Sequence, residues 1–338
     1  MSTERAAARP PDLPAPVVPG GATRPLALRV LRIGAPVAYV VALSLVIVSW
    51  GLPLARDQLF LWMGLGLAAF SVAGWRGWGR MVLEWLPFFG LLVAYDFLRG
   101  AVSVTPAQAH VTAQLDLDRA LGGGGVPTVW LQEHLWRPEH LHWYDYAAWG
   151  VYMTHFFAVW IVAALVWRFA RHRFRRYAVL TVLLTLGAFL TYWAYPAQPP
   201  WMVAELGAVD RIVPDVWGHL GVHTVASVYG NADLVNTVAA MPSLHGAYPV
   251  MLLLFFWSAG WPARAGLALY ALAMGFALVY GGEHFVTDIL AGWAMAGAAF
   301  ALVALMPWSA APGLRGRPAR ARWPAWWRRA PSARRRAG

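Results

Sequence analysis

Stretches of about 20 consecutive apolar residues recur along most of this chain, and no other feature constrains its fold as much. A run of that length crosses the hydrocarbon core of a bilayer as a helix, with every backbone polar group satisfied internally. Eight such runs are expected, at about 31–52, 58–75, 81–104, 144–166, 177–195, 242–261, 263–281 and 284–306. Composition agrees: 59% of the 338 residues are apolar and 13% are charged, against about half and about a quarter in a soluble domain. The expectation is an all-α, polytopic membrane helical bundle of about eight transmembrane helices. Residues 1–27, rich in Pro, Ala and Gly without periodicity, read as a disordered N-terminus and not as a cleavable signal, because the first apolar run starts only near Leu31. Residues 28–308 form the membrane-embedded domain, and 309–338 form a basic tail in which nine arginines alternate with Trp323, Trp326 and Trp327. No internal repeat is visible.

Two long polar connections, 105–143 and 196–241, interrupt the apolar runs. The first holds a helical-looking segment at 107–121, a run of four glycines at 122–125, and Pro127-Thr-Val-Trp-Leu-Gln132, which suits a short interfacial helix. Short amphipathic helices are therefore expected in these connections. The glycines lack the following Gly-Lys-Ser/Thr of a nucleotide cradle and read as a hinge. Pro196-Ala-Gln-Pro-Pro-Trp201 stops the fifth run, because proline cannot continue a helix.

The chain has no lysine; its formal net charge of +11 comes from 27 arginines. They gather beside the apolar runs, at Arg76 and Arg80, at 168–176, at Arg264 and in the tail. With a cytoplasmic N-terminus, eight spans put each of these clusters inside and both long connections outside, as the positive-inside rule demands. The chain is then a multi-pass protein of the cell membrane with both termini cytoplasmic. Arginine beside a span reads as retention at an anionic membrane surface and not as nucleic-acid binding. The absence of cysteine excludes disulfides, iron–sulfur clusters and thiol catalysis.

Chemistry concentrates in the last third. Met241-Pro-Ser-Leu-His-Gly246 opens the sixth run, and Gly281-Gly-Glu-His-Phe-Val-Thr-Asp288 opens the eighth. One apolar run lies between them, so both descents begin at the same face, the extracytoplasmic one, and His245 and His284 come to one depth. Pro242-Ser243 is a helix-start signal, and the first turn of a helix binds anions through free N–H groups. His284 and Asp288, four apart, share a helix face, so the carboxylate can fix the imidazole tautomer and leave the other nitrogen free to attack or accept. His245 can then protonate a departing oxygen. A single interfacial histidine is as readily a hydrogen-bonded residue at headgroup level; the second histidine and the carboxylate at one face move the balance towards function.

Pro-Ser-Leu-His-Gly246 and Gly-Gly-Glu-His-Phe-Val-Thr-Asp288 resemble the two histidine motifs of the type 2 phosphatidic acid phosphatase superfamily. Leu244, where plain phosphatases usually carry Gly, and Pro-Ala-Gln-Pro-Pro-Trp-Met202 are closer to its inositol phosphorylceramide synthase-like branch, the inositolphosphotransferases. The resemblance covers about 95–292. It implies that His284 is the nucleophile that forms a phosphohistidine, that Asp288 orients it, that His245 is the general acid that then activates the acceptor, and that neither metal nor cofactor takes part. The superfamily's upstream Lys-x6-Arg-Pro phosphate-binding motif is absent. Arg99, beside Asp96 at the outer end of the third run, is the first candidate to neutralise the phosphate, followed by Arg119 and Arg211 in the outer connections, with Ser243 and helix-end N–H groups as further phosphate contacts.

The expected function is a lipid phosphotransferase that moves a phosphoryl or phospho-headgroup unit to an alcohol such as inositol or a glycolipid. Two alternatives stay open: a lipid or polyprenyl phosphatase using the same residues, and a transporter with ionisable residues near its helix starts. A metal-dependent hydrolase using His219, His223 and His245 is a further alternative, although no supporting carboxylate or third histidine sits near the first two. The partners are lipid phosphates and membrane lipids.

Overall fold

The computed structural model describes residues 26–50, 56–70, 79, 81–88, 90–91, 94, 109–207, 209–221 and 238–308. Packing divides the chain into two compact units, Met1–Met81 and Val82–Gly338. In the first, α1 (Leu26–Trp50) and α2 (Arg56–Phe70) pack together, and Tyr39 meets Trp62 edge to face at 5.8 Å.

The second unit holds the site. Its helices are α3 (Thr112–Leu121), α4 (Pro127–Leu135), α5 (Trp143–Phe169), α6 (Arg171–Ala194), α7 (Ile212–His219), α8 (Leu244–Phe255), α9 (Trp261–Tyr280) and α10 (Val286–Leu305). Residues 82–88 are also helical, and Trp85 and Phe88 pack on Phe174 of α6. Four helices are long and apolar enough to cross a membrane: α5, α6, α9 and α10. Residues 33–46 of α1 and all of α8 are apolar but shorter. The described residues thus form an all-helical membrane protein with four candidate spans; parts of the first three expected runs, 31–52, 58–75 and 81–104, lie outside the described residues.

The sixth run departs most from expectation. In place of a span over 242–261, α8 has 12 residues and ends at Phe255, followed by a 3-10 turn at Trp257–Ala259. At about 1.5 Å per residue α8 rises about 18 Å, well short of a bilayer core of about 30 Å. It is the hub of the bundle instead. It packs against α5, α6, α9 and α10, which neighbour one another in the order α5, α9, α10, α6 and back to α5.

Two glycines let this packing close. A side chain at Gly292 of α10 would place its Cβ 2.3 Å from the Ser243 carbonyl oxygen, so α8 and α10 approach this closely only with hydrogen there. Gly282 follows α9 with φ of 74°, and a Cβ there would lie 2.6 Å from the Asp210 carbonyl oxygen. The two polar connections converge at that turn. Gln132 of α4 donates to the carbonyls of Asp210 and Tyr280, both at 2.9 Å, and accepts from the Asp210 N–H at 3.0 Å. The Trp201 N–H donates to the Gly282 carbonyl at 3.3 Å. Further out, residues 196–198 pair on one side with His110 and on the other with 238–240, through isolated bridges. The amphipathic helices expected in the first connection are α3 and α4, and the glycine run is the turn between them.

Candidate active site

The two histidine motifs meet at one end of the α8–α10 pair. Ser243 caps α8: its Oγ accepts from the Gly246 N–H at 3.2 Å, and its own N–H donates to the Asp288 carbonyl at 2.9 Å. Tyr192 of α6 donates to the Pro242 carbonyl at 2.7 Å. The start of α8 is therefore tied to α10 by a main-chain bond and to α6 by the Tyr192 side chain, and the His245 and His284 rings lie 5.6 Å apart between centroids.

His284 precedes α10 and is not on it, since the helix begins at Val286. The contact with Asp288 expected from helical spacing forms nonetheless, with Nδ1 of His284 3.4 Å from Asp288 Oδ2. That separation is an ion-pair distance without hydrogen-bond alignment, and Nδ1 has no hydrogen-bond partner. Asp288 is fully buried. Its Oδ2 accepts from the Phe285 N–H at 2.9 Å, a reach-back cap at the third helical position, and its Oδ1 accepts from Gln114 Nε2 at 2.9 Å.

His245 faces α5. Its ring stacks on Tyr152 at 5.1 Å and on His155 at 3.7 Å, and its Nε2 is buried without a hydrogen-bond partner among the described residues. At the first turn of α5, Asp145 accepts from the Tyr280 hydroxyl at the end of α9. His155 is ten residues further along the helix than Asp145, about 15 Å down α5 from it. The site lies within the bundle, with α3 packed on α10, α4 on α9 and α7 on α5.

The helix-end N–H groups expected as phosphate contacts differ between the two helix starts. At α10, Asp118 of α3 is already bound: its carboxylate accepts from the Val286 N–H at 3.0 Å, the Thr287 N–H at 2.9 Å and the Thr287 hydroxyl at 2.6 Å. Burial, joined by the nearby Asp288 charge, raises the Asp118 carboxyl above its ordinary value although these three bonds pull it down. A substrate anion finds those N–H groups occupied. At α8, Leu244 and His245 hold the first two helical positions, whose N–H groups have no acceptor within the helix.

The candidate phosphate ligands scatter. Arg99 and Asp96 lie outside the described residues. Arg119 is half exposed on α3, 3.7 Å from Asp116. Arg211 is nearly buried and forks onto Glu283, the neighbour of His284, with Nε 3.1 Å and Nη2 3.0 Å from Oε1; its guanidinium lies over the Trp201 ring at 4.6 Å. His219 ends helix α7 and does not sit in a loop; its Nδ1 is 3.0 Å from the Asp215 carbonyl, and His223 lies outside the described residues. Among the described residues, no group of three His, Cys, Asp or Glu side chains could hold a metal ion.

Sequence reasoning missed Gln114, Asp118, Tyr152, His155 and Glu283. His155 carried a usable signal, because an ionisable residue well inside an apolar run is a functional candidate by default. Gln114 and Asp118 carried a weaker one, two polar residues at helical spacing in an amphipathic segment. No solved structure matches the chain. It is 25% identical over 242 residues to a phosphoinositol dihydroceramide synthase of Bacteroides thetaiotaomicron, covering 63% of this chain and 73% of that protein. The family model of the PAP2 superfamily matches residues 114–302, a segment that begins at Gln114 and takes in both histidines and Asp288. With more than half its length so matched, the chain belongs to the PAP2 superfamily.

Proposed function

We propose that this protein is an integral membrane phosphotransferase that acts on a lipid phosphate through a phosphohistidine on His284. Family membership and the synthase relative support lipid phosphotransferase or phosphatase activity. The observation that carries the finer reading is the convergence of His245 with the His284–Asp288 pair at one end of the α8–α10 pair.

With Nδ1 of His284 turned to Asp288, the other ring nitrogen, Nε2, is the nucleophile. It attacks phosphorus, the bond to the leaving oxygen breaks, and His245 gives that oxygen its proton. An acceptor hydroxyl, as in inositol or a glycolipid, then loses its proton to His245 and takes the phosphoryl or phospho-headgroup unit from His284. Phosphoryl transfer depends mainly on position and charge stabilisation. Those roles fall to Ser243, which sets the start of α8, to the free N–H groups there, and to a guanidinium. Arg211 is the described candidate adjoining the site, with Arg99 beside Asp96 and Arg119 as the others. The chain works without metal in this account. It is a multi-pass protein of the cell membrane in this account, with both termini cytoplasmic and the two histidines at the extracytoplasmic face.

The test is product analysis. Purified protein is given phospholipids and polyprenyl phosphates, with and without inositol or a glycolipid, in EDTA throughout. A new phosphodiester that requires the alcohol is the expected result. Free phosphate without acceptor points to the phosphatase chemistry of the same residues. Uptake into sealed vesicles with no chemical change, by protein that turns over no lipid, overturns the enzyme reading in favour of transport.

A further inference from the structure

Gln114 and Asp118 are almost wholly buried, although they belong to α3, a ten-residue helix in a polar connection. Four residues apart, they leave one face of α3 a turn from each other, and both end on the first turn of α10. Asp118 occupies the helix start, and Gln114 reaches past it to Asp288. The Gln114 backbone joins the contact, since its carbonyl oxygen lies 3.4 Å from the Thr287 hydroxyl oxygen.

The Asp288 carboxylate has two oxygens with separate tasks. Oδ2 lies towards His284, and Oδ1 accepts from Gln114 Nε2 at 2.9 Å. Rotation of a carboxylate about its last bond is soft. The Phe285 N–H pins Oδ2 from one side, and the plane of the group is fixed only when Oδ1 is held as well. The amide can be placed only one way round. Its Oε1 is buried without a hydrogen-bond partner, and exchanging oxygen for nitrogen would set a carbonyl against the carboxylate.

We propose that Gln114 is a positioning residue for the phosphohistidine centre: α3, through the Gln114 amide, fixes the plane of Asp288 and thereby the tautomer and aim of His284. The inference rests on the function proposed above. It makes the alignment of the nucleophile depend on a helix docked from a polar connection and not on the membrane bundle alone.

The experiment measures turnover of the labelled lipid substrate by the full chain across pH, for the wild type and for Gln114→Leu, Gln114→Glu and His284→Ala. Gln114→Leu removes the donor at similar volume. It is expected to lower kcat about tenfold to a hundredfold, the weight of one hydrogen bond to a charged group, with KM within about twofold. Gln114→Glu is the discriminating variant. Ionised, the new carboxylate faces Asp288 with Asp118 one turn away; His284 lies beyond Asp288, and Glu283, paired with Arg211, precedes His284. Protonated, it donates to Oδ1 as the amide did. The ratio of its kcat to that of the wild type is therefore expected to rise as pH falls, whereas a merely structural defect gives a constant ratio. A Gln114→Leu enzyme with unchanged kcat, or a pH-invariant ratio for Gln114→Glu, overturns the proposal while an inactive His284→Ala keeps the phosphohistidine reading. Full activity in His284→Ala overturns both.

Discussion

The rings of His155 and His245 stack at 3.7 Å between centroids with their planes 25° apart, and each carries a buried nitrogen without a hydrogen-bond partner among the described residues. The two come from different helices, α5 and α8. Stacking on α5 confines the His245 ring to the orientation in which it faces His284.

His155→Ala removes that surface and is expected to lower kcat about three- to tenfold, the worth of one aromatic pair. His155→Phe keeps a flat ring and is expected to retain most of the activity. Steady-state kinetics of the two variants decide the point; equal losses in both would mean that the nitrogen and not the stack matters.

Asp118 caps the start of α10 with three accepted hydrogen bonds. Asp118→Ala leaves buried donors unpaired, at about 1–3 kcal/mol, and should lower the melting temperature in detergent by several degrees. Its pKa is raised by burial, so ionisation of Asp118 opposes folding. Its contribution to stability is full below the ordinary carboxylate value and is lost as pH rises through the raised one. The stability of the wild type relative to Asp118→Asn, which does not titrate, should therefore decline with rising pH across that window. Thermal melts of both proteins across the acid range measure it.

Arg211 and Glu283 form a nearly buried ion pair beside His284. Arg211→Ala leaves a buried carboxylate without its partner and should cost about 3–5 kcal/mol. The double variant Arg211→Ala/Glu283→Gln should recover part of that loss. Melting of the two single variants and the double in one detergent gives the coupling, and strict additivity would show the pair to be energetically idle.

Gly292→Ala places a methyl group 2.3 Å from the Ser243 carbonyl oxygen, against main chain that cannot swing away. The expected cost is about 1–3 kcal/mol from overpacking, with loss of turnover because the α8 cap moves relative to Asp288. Folded protein with normal activity would show that the two helix starts need not be held at this spacing.

Much of this arrangement was legible in the sequence because its cause is local. Long apolar runs announced the helices, proline and serine announced the start of α8, and one intervening run brought His245 and His284 to one end of the bundle. The short length of α8 was hidden, because residues 256–261 carry no charge and no proline to mark an end at Phe255, and Ser258 and Gly260 alone are a weak stop signal. The placement of His284 just before α10 was hidden too, since the reach-back from Asp288 to the Phe285 N–H competes with a further helical turn. Gln114 and Asp118 could not be assigned to Asp288 and the α10 start because their partners lie about 170 residues away in sequence, a pairing that spacing does not encode.

The most direct test of the central claim is to trap the covalent intermediate. Protein is mixed with lipid phosphate labelled at phosphorus, quenched in alkaline detergent within the first turnover, and mapped by peptide mass spectrometry. The account predicts acid-labile, alkali-stable label on His284, absent from His284→Ala and accumulating when acceptor is withheld. Turnover with no labelled protein at any time, or label that persists in His284→Ala, would contradict it.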